Sequence, residues 1–220
     1  MTLLLLIRHA DNDQRKVRLC GRLPGIHLNE RGRKQAEALA KDLCRAPIQA
    51  VFSSPMERAV ETASSLTETL NLPLQIIEEL NETDYGEWQG RTFGQLRRLK
   101  GWQTVLKTPS QVRFPGGETL LEVQQRTVAA LEKLSQGHEL IAAFTHADII
   151  RPALAHYLNM PLDDYHRLTI RPASLSIIAL NENTIHVLLI NQTRDLNFLL
   201  KQAENSKPSG HRKKTAASQS

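Results

Sequence analysis

The chain has 220 residues, 40% of them hydrophobic, with a formal net charge of +5 and two cysteines. That length supports one domain with a substantial core rather than two. Cys20 and Cys44 have no CxxC spacing, which excludes a disulfide framework or a cysteine-based zinc site and suits a reducing cytoplasm.

The positive charge is mostly terminal. Residues 201–220 carry Lys201, Lys207, Arg212, Lys213 and Lys214 against Glu204, which leaves +1 for the first 200. This last stretch has no Leu, Ile, Val or aromatic residue. It is expected to be a disordered basic tail behind a domain of residues 1–200, either without function or a weak contact for RNA or an acidic partner. No specific nucleic-acid site is expected. The apolar run that opens the chain is five residues long with no basic leader, so neither a signal peptide nor a membrane anchor is expected, and the location expected is cytoplasmic.

That run, Leu3 to Ile7, has the length of a strand buried on both faces and stops at Arg8 and His9. In open parallel sheets ligands sit outside the carboxyl ends of the strands, so this charged pair either faces a pocket or merely ends a strand. Asp11 to Gly25 follows as a basic loop with Arg15, Lys16, Arg18 and Arg22. From Glu30 the spacing of Ala36, Leu39, Ala40, Leu43 and Cys44 predicts an amphipathic helix capped by Asn29 and ended by Pro47.

Ile48 to Ser53 reads as a second strand. Ser54-Pro55-Met56-Glu57 then has the grammar of a helix start, with Ser54 as N-cap, Pro55 as first helical residue and Glu57 as capping-box partner. Arg58 falls in the first turn of that helix, which should run to about Leu70. It is either an anion ligand at a helix N-terminus or a surface residue paired with Glu57 or Glu61.

Leu74 to Ile77 is a third strand, and the polar stretch Leu80 to Gly90 a loop that brings Glu82 or Asp84 beside apolar walls, or simply leaves them solvated. Residues 91–113 are expected to be partly helical, as a lid or as a plain surface helix. Pro115-Gly116-Gly117-Glu118-Thr119 turns into another amphipathic helix. The fourth strand, Leu140 to Phe144, ends at Thr145-His146-Ala147-Asp148. In the helix that follows, Pro152 is tolerable only near the first turn. Ser174–Leu180 and Thr184–Ile190 read as a closing hairpin around Asn181-Glu182-Asn183. The alternation predicts an α/β fold, a three-layer α/β/α sandwich around a mostly parallel sheet.

Arg8, His9, Arg58 and His146 thus come from strand ends, with Glu82 from a loop. Together they would make a positive field suited to a phosphoryl group and would keep His9 neutral and nucleophilic. Neither a metal site nor any other cofactor is expected, because the His146-x-Asp148 pattern is too common to signal one.

These residues resemble a known family. Arg8-His9-Ala10 is similar to its Arg-His-Gly signature, Ser54-Pro55-Met56-Glu57-Arg58-Ala59 to its Ser-Pro-x-x-Arg-Ala element, and Leu80-x-Glu82-x-x-x-Gly86-x-Trp88-x-Gly90 to its acid loop. Gly116-Gly117-Glu118-Thr119 and Thr145-His146-Ala147-Asp148 match its remaining blocks in order. The family is the histidine phosphatase superfamily, also called phosphoglycerate mutase-like.

The resemblance implies metal-free catalysis through a phosphohistidine. His9 would be the nucleophile and Glu82 the proton donor. Arg8, Arg58, His146 and Thr145 would hold the phosphoryl oxygens. It implies a phosphatase for a small phosphorylated metabolite, with room for a homo-oligomer. A phosphoglycerate mutase-like transferase is the rival, and the chain lacks the longer insertion associated with true mutases. Two departures stand out. Ala10 replaces the signature glycine, which would strain the backbone if φ were positive there and would leave a weakly active phospho-ligand-binding protein. Arg15 falls where many members have Asn, and no role is assigned to it.

Overall fold

The computed structural model describes residues 1–181 and 184–193, so the tail at 201–220 and two residues of the hairpin turn lie outside the described residues. Six strands form one sheet: β1 (Thr2–Arg8), β2 (Ala50–Ser53), β3 (Leu74–Ile76), β4 (Leu140–Thr145), β5 (Leu175–Leu180) and β6 (Ile185–Gln192). Their order is β3-β2-β4-β1-β5-β6. β2 pairs in parallel with β3 and β4, and β4 in parallel with β1, whereas β5 is antiparallel to both β1 and β6. Only β5 therefore runs against the rest, as expected of a mostly parallel sheet closed by a hairpin.

The helices are α1 (Glu30–Leu43), α2 (Glu57–Leu70), α3 (Phe93–Leu96), α4 (Trp102–Lys107), α5 (Leu120–Ser135) and α6 (Ala147–Tyr157). Alternate residues of β1 show how they are layered. Leu4 and Leu6 pack with Val128 and Leu131 of α5 and Ile150 and Leu154 of α6. Leu5 and Ile7 pack with Ala40 of α1 and Ala63 and Leu66 of α2. A strand whose successive side chains point to opposite faces needs aliphatics at every position when both faces are covered, and this explains the unbroken run. Burying each such side chain stabilises the fold by about 1.5–3 kcal/mol.

Helix starts follow the sequence in two places and depart from it in a third. The Asn29 side chain accepts from the Gly32 N–H at 2.8 Å, and Thr119 with Glu122 forms a capping box at α5. At α2, however, the N-cap is Met56, without a side-chain cap, and the expected Ser54–Glu57 capping box does not form. The Ser54 hydroxyl instead meets His146, 92 residues away. Pro152 also differs from expectation, since it is the sixth residue of α6 and lies past the first turn. Its ring removes the N–H that would bond the Asp148 carbonyl, and that carbonyl lies 3.5 Å from the Thr83 hydroxyl, which donates to it.

Ala10 carries none of the strain its substitution for glycine suggested. The described non-glycine residues with positive φ are Asn71, Asn159, Ala173 and Asn191. Ala10 is fully buried and packs with Leu28, Ala36 and Ala173, so its methyl group fills a small core. Conformational freedom matters at Gly86, where φ is +49° and an added Cβ would come within 2.0 Å of the Pro115 carbonyl oxygen. Gly117, across from it, allows equally close passage of the Asp84 carbonyl.

Gly86→Ala is expected to destabilise the protein by roughly 2–4 kcal/mol, combining left-handed strain with a backbone clash. A urea denaturation midpoint within experimental error of the parent would refute that account.

Candidate active site

The carboxyl ends of β1, β2 and β4 converge on one edge of the sheet. His9 extends the ladder by one bond, its N–H donating to the Thr145 carbonyl at 2.8 Å. The Nδ1 atom of His9 lies 2.8 Å from the Ala10 carbonyl oxygen. A carbonyl only accepts, so the proton sits on Nδ1 and the lone pair on Nε2. The next residue is also tethered, because the Ala10 N–H donates to the Thr62 hydroxyl, which donates in turn to the Arg58 carbonyl at 2.6 Å. Thr62 thereby joins the turn that bears His9 to the first turns of α2.

Arg58 is 1% exposed. Its Nη2 donates to the Gly21 carbonyl at 2.8 Å, and its Nη1 is buried without a partner among the described residues. Arg8 donates through Nη1 to the Ile170 carbonyl at 2.6 Å and likewise keeps a buried Nε without a partner. The His146 ring lies 5.2 Å from that of His9, centroid to centroid. Its Nε2 is 2.8 Å from the Ser54 hydroxyl, while its buried Nδ1 is 3.6 Å from Glu82 and makes no hydrogen bond. Ser54 also accepts from the Met56 N–H. A hydroxyl that accepts there and donates to Nε2 leaves the His146 proton on Nδ1, pointing toward Glu82.

Glu82 sits within 3.9 Å of Arg58 and is largely buried. Burial first, and the negative charge of Asp148 second, raise its pKa to about 7 against the pull of Arg58 and Arg8. Burial, then the charges of Arg8, Arg58 and Arg15, holds His9 well below the usual imidazole range. His146 is lowered in the same way, by burial and then by Arg58, His9 and Arg8. Arg8 is lowered by burial to about 10 and stays cationic at neutral pH. The cluster near pH 7 therefore combines two guanidinium ions, two neutral imidazoles and a carboxyl group poised between its two states.

Thr145, expected among the phosphate ligands, commits its hydroxyl proton to the Leu80 carbonyl at 2.6 Å and so fixes the start of the acid loop. The same loop is held from below by a triad legible only in part from the sequence. Glu118 receives bonds from Arg22, Arg126 and the Asp84 N–H. Arg22 and Arg126 both also donate to the Glu82 carbonyl. Asp84, the other candidate acid, is turned instead to the Gly86 N–H and toward Arg22. The Gly116-Gly117 turn thus serves this loop, and the Glu118 that follows it is the anchor. Ser54 and Thr62 carried no signal beyond helix-start and helix-interior grammar.

Residues 91–113 pack their apolar side chains with Tyr85, Trp88 and Phe114 into a third cluster beside the acid loop. Arg15 bonds Asp11 at 2.8 Å and lines an open groove of about 1030 Å³ that reaches Arg8 and also takes in Arg31 and Arg151. No group of three or more His, Cys, Asp or Glu side chains placed to hold a metal ion occurs among the described residues. No helix among them is long and apolar enough to cross a membrane.

Comparison with known proteins agrees with this geometry. The chain is 29% identical over 213 residues to phosphoserine phosphatase 1 of Hydrogenobacter thermophilus, covering 94% of this chain and all of that one. The structure of Bacillus stearothermophilus YhfR superimposes with a TM-score of 0.83 at 26% identity, covering 88% of this chain and 98% of that one. The mycobacterial glucosyl-3-phosphoglycerate phosphatase Rv2419c, solved with VO3, gives a TM-score of 0.80 at 25% identity over 88% of this chain and all of that one. The family model for the histidine phosphatase superfamily (branch 1) matches residues 4–193. With its signature blocks gathered at one sheet edge, the chain belongs to the histidine phosphatase superfamily and is an enzyme of the phosphomonoesterase type.

Proposed function

We propose that the protein is a metal-independent phosphatase that hydrolyses a small phosphorylated metabolite through a phosphohistidine on His9. The observation that carries this reading is the set of buried nitrogen atoms without hydrogen-bond partners on Arg8, Arg58 and His146, grouped around a neutral imidazole and a carboxyl group. Unmade hydrogen bonds in the interior cost about 1–3 kcal/mol each, more for charged groups, and a tetrahedral oxyanion would satisfy all three. Two guanidinium ions suit a phosphate dianion better than a neutral ligand.

In this mechanism the Nε2 lone pair of His9 attacks phosphorus, and the bond from phosphorus to the leaving oxygen breaks. That oxygen takes the proton of Glu82. Arg8, Arg58 and His146 stabilise the equatorial oxygens as charge moves outward. Water then attacks the phosphohistidine and gives a proton to Glu82. The nitrogen–phosphorus bond breaks, and inorganic phosphate and the original acid are restored. Thr145 acts by fixing the acid loop. A mutase would instead return the phosphoryl group to an acceptor before water reached it. Ala10 offers no support for a protein that only binds phosphorylated ligands, since its backbone is unstrained.

The groove beside Arg8 supports a substrate with a second anionic group, because Arg15 and Arg151 line it together with Arg8. The free cysteines Cys20 and Cys44 suit the cytoplasmic location proposed for the enzyme.

His9→Ala is expected to reduce chelator-resistant hydrolysis of an aryl phosphate by about 10³-fold or more. The parent should form an acid-labile, alkali-stable phosphoenzyme that water discharges. Turnover surviving in His9→Ala rejects the phosphohistidine, and a phosphoenzyme that persists until a sugar acid is added favours the mutase. Glu82→Gln should slow an alkyl phosphate by about 10²–10⁴-fold and an aryl phosphate far less, because phenoxide departs without a proton. Equal losses on both would remove Glu82 from the role of acid. For Arg15→Ala the expected change is a KM about three- to tenfold higher for a carboxylate-bearing phosphomonoester and unchanged for an uncharged one. A uniform change would place the second anion elsewhere.

A further inference from the structure

Asp148 is a charged residue beside the site that the mechanism above does not use. It follows His146 by two residues on α6, and its side chain is about three-quarters covered. One carboxylate oxygen accepts from the Tyr85 hydroxyl at 2.5 Å and the other from Arg151 at 2.8 Å. Tyr85 lies three residues beyond Glu82 on the acid loop. Thr83, next to Glu82, donates its hydroxyl to the main-chain carbonyl of Asp148 that Pro152 leaves without a helical partner, and its N–H bonds the Glu82 carboxylate at 3.0 Å. Asp148 thus holds the loop at two points just after the acid, Tyr85 by its side chain and Thr83 by its backbone.

We infer that Asp148 is a positioning residue for Glu82: its carboxylate and its main-chain carbonyl tie the acid loop to α6 and set a fixed negative charge near the acid. The inference rests on the reading of Glu82 as the leaving-group acid. The charges around Glu82 make the need plain. Arg58 faces it from α2, Arg8 from the end of β1 and the His146 ring from the start of α6, while Arg22 and Arg126 reach its main-chain carbonyl and Cys20 lies nearby. Nearly all these groups favour an ionised Glu82, which would be useless as an acid. Burial and Asp148 oppose them. Asp148 is itself kept ionised by Arg151, Tyr85, Arg8 and His166, with Tyr165 packed on the same side.

The test separates charge from tether. Glutamate carboxyl groups labelled with ¹³C are titrated by NMR in the parent, Asp148→Asn, Asp148→Glu and Tyr85→Phe, with the Glu82 signal assigned by its loss in Glu82→Gln. The parent midpoint should lie near pH 7. In Asp148→Asn, which keeps the shape and loses the charge, it should fall by about 0.5–1 pH unit. It should stay near the parent value in Asp148→Glu and Tyr85→Phe. Asp148→Ser repeats the neutral substitution should the amide not be accommodated. The alkaline limb of alkyl phosphate hydrolysis should move down with the titration, while an aryl phosphate shows no such shift. An unmoved midpoint in both neutral variants, or an equal fall in Tyr85→Phe, overturns the inference. A midpoint that moves in a protein without phosphatase activity leaves it standing as electrostatics and rejects Glu82 as the catalytic acid.

Discussion

Arg8 and Arg58 hold their charge in surroundings that disfavour it, and most of the site follows from how that charge is accommodated. Removing a guanidinium ion from water costs several kcal/mol unless its N–H groups find acceptors. Here main-chain carbonyls do part of this, Gly21 for Arg58 and Ile170 for Arg8. Using carbonyls rather than carboxylates leaves the positive charge unneutralised. The acid nearest Arg58, Glu82, is itself forced toward its neutral form. The field therefore persists in the interior, adds to burial in keeping both imidazoles neutral, and favours an incoming anion.

A field of that kind is stable only if the scaffold cannot relax around it. β1 and β4 are each paired on both sides, and the helix layers cover both faces of the sheet. The side chains that touch the charged groups are then locked in turn: Thr62 between Ala10 and Arg58, Ser54 between Met56 and His146, Thr145 on Leu80. Each is a small hydroxyl that ties together segments distant in the chain, and those of Thr62 and Ser54 are engaged as both donor and acceptor. The acid loop has no regular secondary structure beyond two short 3₁₀ turns. It takes its rigidity from Glu118, Arg22 and Arg126 beneath it and from an aromatic cluster beside it.

The parts legible in the sequence are those with a local or periodic cause. The unbroken aliphatic run of β1 announces a strand covered on both faces, and Asn29 marks the start of α1 within a residue. Histidines placed just after apolar runs point to the sheet edge at which the His9 and His146 rings meet. Ser54 shows where such reasoning ends. Its context is that of a helix cap, but a partner 92 residues away competes for the same hydroxyl, and the buried contact with His146 prevails. Pro152 and Asp148 are similar, since the carbonyl released by one and the carboxylate of the other meet residues of a loop more than sixty positions earlier. Ala10 misleads in the opposite direction. Its departure from a glycine signature suggests strain, whereas the backbone there is ordinary and the methyl group is packed.

The way His9 prolongs the pairing of β1 with β4 bears on how such a chain changes length over evolutionary time. Arg8 is in register with Thr145, and the His9 N–H closes the next bond of the ladder. One residue inserted or deleted within β1 would turn every side chain to the other face of the sheet, so that an aliphatic group would point where the imidazole should be. The exposed link between α3 and α4 bears no such constraint, and neither does the outer part of the loop after Asn12. Changes of length are thereby tolerated in those surface segments and excluded from the strand that leads into His9.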